Sequence, residues 1–234
     1  MVALSAALFL AGLTSPLQQR DLPQPILAFQ LDGSVVAPCA VRWRPNTKVV
    51  PVPRGVGLEI SASGGWEIPD NPKLALTNAF TISVWLKPSD YVSSGPGAQI
   101  LFRGDDRSGY DPFGLTIHND GRIYLLIQNE KNEGQWVACE IPLNVWTHIL
   151  ASFSAKTGEL KLFKNGTIVD QVTTPIRPFA RLLRDRMPGL GVGNVQSTRL
   201  MHDQPYHGIM ADLRLYDREL SPKNIEFTPL GWDR

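Results

Sequence analysis

Long apolar runs, cysteine and net charge are all scarce in this 234-residue chain, and each scarcity removes a class of function. The one extended apolar run, residues 2–13, is too short to span a bilayer, so no transmembrane segment is expected. Only Cys39 and Cys139 are present, in neither a C-x-x-C nor a zinc-ligand spacing. The 23 basic and 22 acidic residues leave a net charge of +1, which argues against nucleic acid or an acidic membrane surface as partner. The 4 histidines show no H-x-H or H-E-x-x-H spacing, so a transition-metal centre is not expected. There is no G-x-S-x-G elbow and no P-loop, and the run from Gly189 to Asn194 lacks the third glycine and the following helix of a dinucleotide fingerprint. No run keeps helical periodicity over ten residues, and no repeat of 20 to 50 residues occurs.

What the chain does have is a train of short alternating segments punctuated by 20 glycines and 19 prolines. Strands are expected at 26–31, 57–60, 65–68, 80–87, 98–103, 113–117, 122–128, 135–140, 146–154, 159–164, 167–173, 189–193 and 209–216. Asp120-Gly121 and Asn165-Gly166 supply the positive φ of tight hairpins, and 57–60 with 65–68 reads as a third hairpin. The proline-studded segment 37–53 reads as loop with at most one edge strand. In the last strand Ile209, Ala211, Leu213 and Leu215 alternate with Met210, Asp212, Arg214 and Tyr216, which predicts one greasy and one polar face. Ser221-Pro222 then looks like a helix cap and first position, with one or two turns over 222–227. The fold class expected is all-β, two antiparallel sheets packed face to face in a single domain over 21–234.

The residues that carry a resemblance are the opening segment 57–89 with its T-I-S-x-W-x-K-P strand, QILFRGD at 99–105, FGLTIHNDGRIYLLI at 113–127, the W-x-H strand with its Asn-Gly hairpin at 145–169, and HGIMADLRLYDRELS at 207–221. Together they resemble the laminin-G-like jelly roll of the concanavalin A-like lectin/glucanase superfamily, over roughly 26–227. The resemblance implies a jelly-roll sandwich, and ligands ranging from lectin sugars to adhesion partners. Glucanases of this superfamily carry E-x-D-x-x-E on one strand, and no glutamate here has Asp two residues later. Asp217 and Glu219 are the only atypical acid pair, and their position at a strand end suits turn and helix-entry charges better. The protein is therefore expected to be a non-catalytic binding module, with a glycoside hydrolase or a protein–protein adhesion module as the alternatives.

The family also implies a structural calcium ion between first and last strands, for which Asp32 and Asp212 are the corresponding candidates. Where many relatives have F-D-G this chain has Ile60-Ser61-Ala62, so one carboxylate is missing, and Asp32 before Gly33 equally fits an Asx turn. Candidate ligand residues are Arg177, Arg181, Arg184 and Arg186 of a basic loop, with Arg199, His202 and His207 nearby in sequence. Such arginines suit sulfate, uronate or phosphate; the plainer reading, favoured by Asp185 and the near-neutral charge, packs the loop on the sandwich rim. Tyr91 and Tyr110 are placed for stacking on a sugar from the glycine-rich rim loops 89–98 and 105–112, whereas Trp85, Trp136 and Trp146 read as core or inter-strand packing. Residues 2–13 have the length of a signal-peptide core, which predicts a leader over 1–20 and export, although no Lys or Arg precedes the run. In an oxidising compartment Cys39 and Cys139 either bridge or remain buried thiols. The partner expected is a carbohydrate or an extracellular protein.

Overall fold

A computed structural model describes residues 22–91, 97–105, 107, 109–195 and 203–225. The expected leader over 1–20, Arg199 and His202 lie outside them. In chain order the strands are β1 (Leu27–Phe29), β2 (Val35–Val36), β3 (Arg42–Trp43), β4 (Thr47–Val52), β5 (Gly55–Ile60), β6 (Trp66–Pro69), β7 (Ala79–Pro88) and β8 (Ala98–Gly104). They continue as β9 (Phe113–Ile117), β10 (Arg122–Gln128), β11 (Gly134–Glu140), β12 (Thr147–Ser154), β13 (Glu159–Lys164), β14 (Thr167–Thr173), β15 (Gly189–Val192) and β16 (Gly208–Tyr216). Two antiparallel sheets result. One runs β14-β13-β12-β7-β16-β1-β2, with the β4–β5 pair added at β16; the other runs β11-β10-β9-β8-β15-β6-β3.

Alternation explains the sandwich. Ile123, Leu125 and Ile127 of β10 are buried while Arg122, Tyr124, Leu126 and Gln128 face outward, and the inward sets of both sheets merge into one apolar core. Phe80 of β7 stacks on Phe113 of β9 across the interlayer gap, with centroids 4.7 Å apart, and leans on Phe153 of β12 at 5.7 Å. The free edges β14 and β11 are tied together where Asp170 accepts a hydrogen bond from the Ala138 amide at 2.9 Å. That bond satisfies an edge donor that would otherwise invite another chain.

The expected fold class holds, with four local corrections. Segment 37–53 holds two edge strands rather than one, β3 and β4, the latter despite Pro51 because an edge strand tolerates a missing donor. Segments 57–60 and 65–68 are not a hairpin: β5 pairs with β4 and β16, while β6 joins the other sheet. The change of sheet runs through Gly64 and Gly65, where an added Cβ would meet the Asn46 and Val192 carbonyl oxygens at 2.4 and 2.6 Å.

In β16 the alternation breaks at Asp212, whose φ is +48° within a bulge between Ala211 and Arg214. One extra residue exchanges the faces. Met210, Leu213 and Leu215 point to the core, while Ile209 and Ala211 join Trp85 and Trp146 on the outside of the nine-stranded sheet. Through Ile225 the C-terminal segment is a turn, in which Asn224 accepts from the Ser221 amide at 2.9 Å, rather than a helix; residues 226 and 227 lie outside the described part.

The cysteines do not bridge. Cys39 lies against the Pro69 carbonyl on β6, and Cys139 is on β11, five strand spacings away, roughly 24 Å. Both are free, partly buried thiols, and burial raises the Cys139 pKa further from its ordinary value.

Candidate functional site

The outward face of β8 to β11 carries a groove. The register sets two rows of side chains across the strands: Gln99, Thr116, Tyr124 and Ala138 in one, Phe102, Gly114, Leu126 and Trp136 in the other. Gln99 and Phe102 share a face despite being three residues apart because β8 bulges at Ile100, leaving Ile100 and Leu101 both inside. Gly114 lacks a side chain between Phe102 and Leu126 and so forms a floor. These residues, with His118 and Asp111 at the two ends, enclose a groove of about 390 Å³.

Trp136 is 55% exposed at one wall, an unusual position for a tryptophan, with no covering element among the described residues. Beside it the Tyr124 ring lies 4.4 Å from His118, and its hydroxyl donates to Asp120 at 2.6 Å. That hydrogen bond lowers the Asp120 pKa and raises that of Tyr124, while burial lowers that of His118. At the opposite wall the Gln99 side-chain amide donates to Gln204 at 2.9 Å, and the Gln99 amide N–H donates to the Gln204 carbonyl, so a strand-borne amide is held rigid.

Asp111 closes the far end. Its main-chain amide donates to Gln128 at 3.2 Å, but the buried Oδ1 takes no hydrogen bond from any described residue. Burial, aided by the negative charge of Asp105, pushes this carboxyl up to about 7, against the pull of Arg107. Asp105 itself is fully buried and satisfied: Arg107 donates to both its oxygens at 2.6 Å, and the Leu183 amide donates to Oδ2 at 2.7 Å.

The residues singled out from sequence fall elsewhere. Arg177 is a structural brace, its guanidinium donating to the Thr174, Ile176 and Ala155 carbonyls at 2.7 to 2.9 Å. Arg181 and Arg184 line a separate depression of about 660 Å³ with Asp185, and Arg186 is exposed beside them. The loop is rim-packed as the plainer reading has it: Phe179 and Leu182 are buried, and Arg103 donates to the Phe179 and Ala180 carbonyls at 3.3 and 2.8 Å. Tyr91 is committed to the Ile141 carbonyl at 2.6 Å, and Tyr110 lies under the Arg107 guanidinium at 4.6 Å. His207 lies apart from this loop, paired with Asp90 at 2.9 Å.

Asp32 accepts from the Ser34 amide at 2.8 Å, the Asx turn, and hydrogen bonding from the Ser34 side chain and then from its amide lowers the Asp32 pKa. Asp212 pairs with Arg214 at 2.8 Å within the bulge. Among the described residues no group of three or more His, Cys, Asp or Glu side chains is placed to hold a metal. The acid pair is spent on neighbours too, Asp217 on Arg218 and Glu219 on Lys161, both at 3.0 Å.

Strand alternation suggests packing for Trp136 because it separates two faces without saying which one is covered. Asp111 lies in a loop that was legible as polar and glycine-rich, but nothing in the sequence marked its burial.

A family model described as the Concanavalin A-like lectin/glucanases superfamily matches residues 61–226. No curated protein sequence matches the chain. Among solved structures, domain 4 of AbnA, an extracellular arabinanase from Geobacillus stearothermophilus solved with arabinotriose, superposes with a TM-score of 0.62 at 17% identity. That likeness covers 92% of this chain and all of the other. The Ruminococcus gnavus IT-sialidase CBM40 bound to α2,3-sialyllactose gives 0.56 at 18% identity, over 71% of this chain and 92% of that one. The receptor-binding domain of a botulinum neurotoxin C/D mosaic serotype gives 0.62 at 17%, over 87% of this chain and 50% of that one. The chain thus spans about half the length of the neurotoxin domain it matches.

Proposed function

The chain belongs to the Concanavalin A-like lectin/glucanases superfamily, and we propose that it is an exported, non-catalytic module that binds carbohydrate in the groove on the seven-stranded sheet. The observation that carries this reading is Trp136, an exposed ring set in register with the glycine floor at Gly114. A pyranose or furanose ring has an apolar face of C–H groups and a rim of hydroxyls. Trp136 and Tyr124 offer flat apolar surface to the first, and Gln99, Thr116 and Asp111 offer hydrogen-bonding atoms to the second. All except Asp111 are borne on strands, so little side-chain ordering opposes binding. The sugar complexes of the arabinanase domain and the CBM40, on the same fold, support the choice of ligand class. Relative to the rim loops expected from sequence, this reading moves the ligand onto the sheet face.

The test is calorimetric titration of the protein with a panel of neutral and acidic oligosaccharides, arabinotriose and α2,3-sialyllactose included, alongside product analysis for turnover. The expected outcome is binding without cleavage to at least one sugar, weakened about 10- to 100-fold in Trp136→Ala by the loss of roughly 1.5–3 kcal/mol of apolar contact. Unchanged affinity in that variant would overturn the placement, and hydrolysis would overturn the non-catalytic reading.

A further inference from the structure

Resting on the reading of the groove as a carbohydrate site, we propose that its ligand is an uncharged glycan that donates a hydroxyl hydrogen bond to Asp111, and that acidic sugars are rejected there. Three observations lead to this.

The first is the composition of the wall. Gln99, Phe102, Gly114, Thr116, Leu126 and Trp136 carry no charge, and the titratable residues beside them are Asp111, His118 and Tyr124. No lysine or arginine lines the groove among the described residues, whereas recognition of a carboxylate, sulfate or phosphate ordinarily uses one. Of the nearby arginines, Arg107 forks onto Asp105 and covers Tyr110, and Arg122 lies 5.7 Å from the Tyr124 ring centroid without lining the groove. The basic loop with Arg181 and Arg184 opens into a different depression.

The second is the orphan atom. Asp111 Oδ1 is buried at the end of this cavity and takes no hydrogen bond from any described residue. An unsatisfied buried acceptor is costly in the free protein, and a ligand hydroxyl that reaches it removes that cost on binding. A sugar carboxylate in its place sets two like charges together beside a wall that no described lysine or arginine lines, the nearby Arg107 being already forked onto Asp105.

The third is what surrounds Asp111. Asp105 from the end of β8 raises its proton affinity and Arg107 from the following loop lowers it; the Gln128 amide of β10 is neutral, and burial keeps His118 at the end of β9 neutral at pH 7. The carboxyl therefore changes charge close to neutrality, and a donor reaching it lowers its pKa in the complex. The sign follows: the complex holds the ionised form more strongly than the free protein does, so affinity for a neutral sugar rises as pH rises through about 7. If the bound pKa falls by about one unit, the gain between pH 6 and pH 8.5 is about fivefold.

The experiment uses the full chain with arabinotriose, xylotriose and cellotriose as neutral probes and trigalacturonate as the acidic one, titrated from pH 6 to pH 8.5. The expected result is about fivefold tighter neutral binding at the alkaline end and at least tenfold weaker binding of trigalacturonate than of the best neutral probe. In Asp111→Asn the rise of neutral affinity through about pH 7 is lost. A pH-flat wild-type affinity, or trigalacturonate bound as tightly as the neutral sugars, overturns the proposal while leaving the groove a carbohydrate site. Failure of every sugar to bind overturns that reading and the proposal with it. The wild-type profile decides the matter even where Asp111→Asn is too unstable to titrate.

Discussion

The two outer faces of the sandwich carry similar aromatic and polar inventories and meet opposite fates. On the nine-stranded sheet Trp85, Trp146 and Ala211 pack with Leu31, Val52 and Ile209 into a second small core. Farther along the same face Leu150 and Tyr216 are capped by Leu220 and Ile225. The C-terminal segment is fastened there by Thr81, which donates to the Arg218 carbonyl and accepts from the Leu220 amide, both at 2.8 Å. Even His148 is sealed in: its Nε2 lies 2.9 Å from Ser83 Oγ, and burial lowers its pKa to about 3. On the seven-stranded sheet the described chain leaves the outer face of β8 to β11 as an open groove, and Trp136 stays exposed. The difference is one of coverage rather than residue type. A half-apolar sheet face becomes core where the chain returns over it, and a recognition surface where it does not.

The contrast can be broken most forcefully on the covered face. Trp85 is 6% exposed, so Trp85→Ala should cost about 3–5 kcal/mol of stability by leaving a cavity beside Trp146 and His148. Chemical denaturation measures the loss, and sugar affinity in the folded fraction should be unchanged. If instead the protein keeps its stability and loses its ligand, the assignment of roles to the two faces is reversed.

On the open face a smaller energetic change should act in the opposite sense. Gly114 has no positive φ, and a Cβ there would meet its nearest atom, the Leu101 carbonyl oxygen, at an ordinary 3.6 Å. Gly114→Leu should therefore change stability by less than about 1 kcal/mol, strand positions being tolerant of such a side chain. It should still fill the groove floor and lower sugar affinity at least tenfold in the same titration. Retained affinity would mean that the ligand does not cross the floor.

Much of this architecture was legible. Thirteen short alternating segments in the sequence correspond to strands, because period-two burial is a property of neighbouring residues. What escaped depended on partners far along the chain. β5 and β6 are close in sequence and look like hairpin arms, yet their sheet membership is settled by β16 and β15. The bulge at Asp212 reverses the faces of half a strand through one residue in a left-handed conformation, which composition does not announce at an aspartate.

The site was less legible than the fold. Arginine clusters and loop tyrosines stand out in a sequence, but Arg177, Tyr91 and Tyr110 satisfy internal partners. Trp136 stood in the sequence as an ordinary strand tryptophan, and Asp111 as an ordinary loop acid. Their significance comes from what the described residues leave uncovered beside the first and unpaired beside the second.

The most direct measurement is the indole N–H spectrum of the 15N-labelled protein during titration with a sugar that binds. The account predicts that the Trp136 indole, assigned through Trp136→Phe, shifts progressively to saturation while those of Trp85 and Trp146 stay in place. A ligand that moves the Trp85 or Trp146 resonances and leaves that of Trp136 unmoved would contradict the claim that the open face is where this protein meets its ligand.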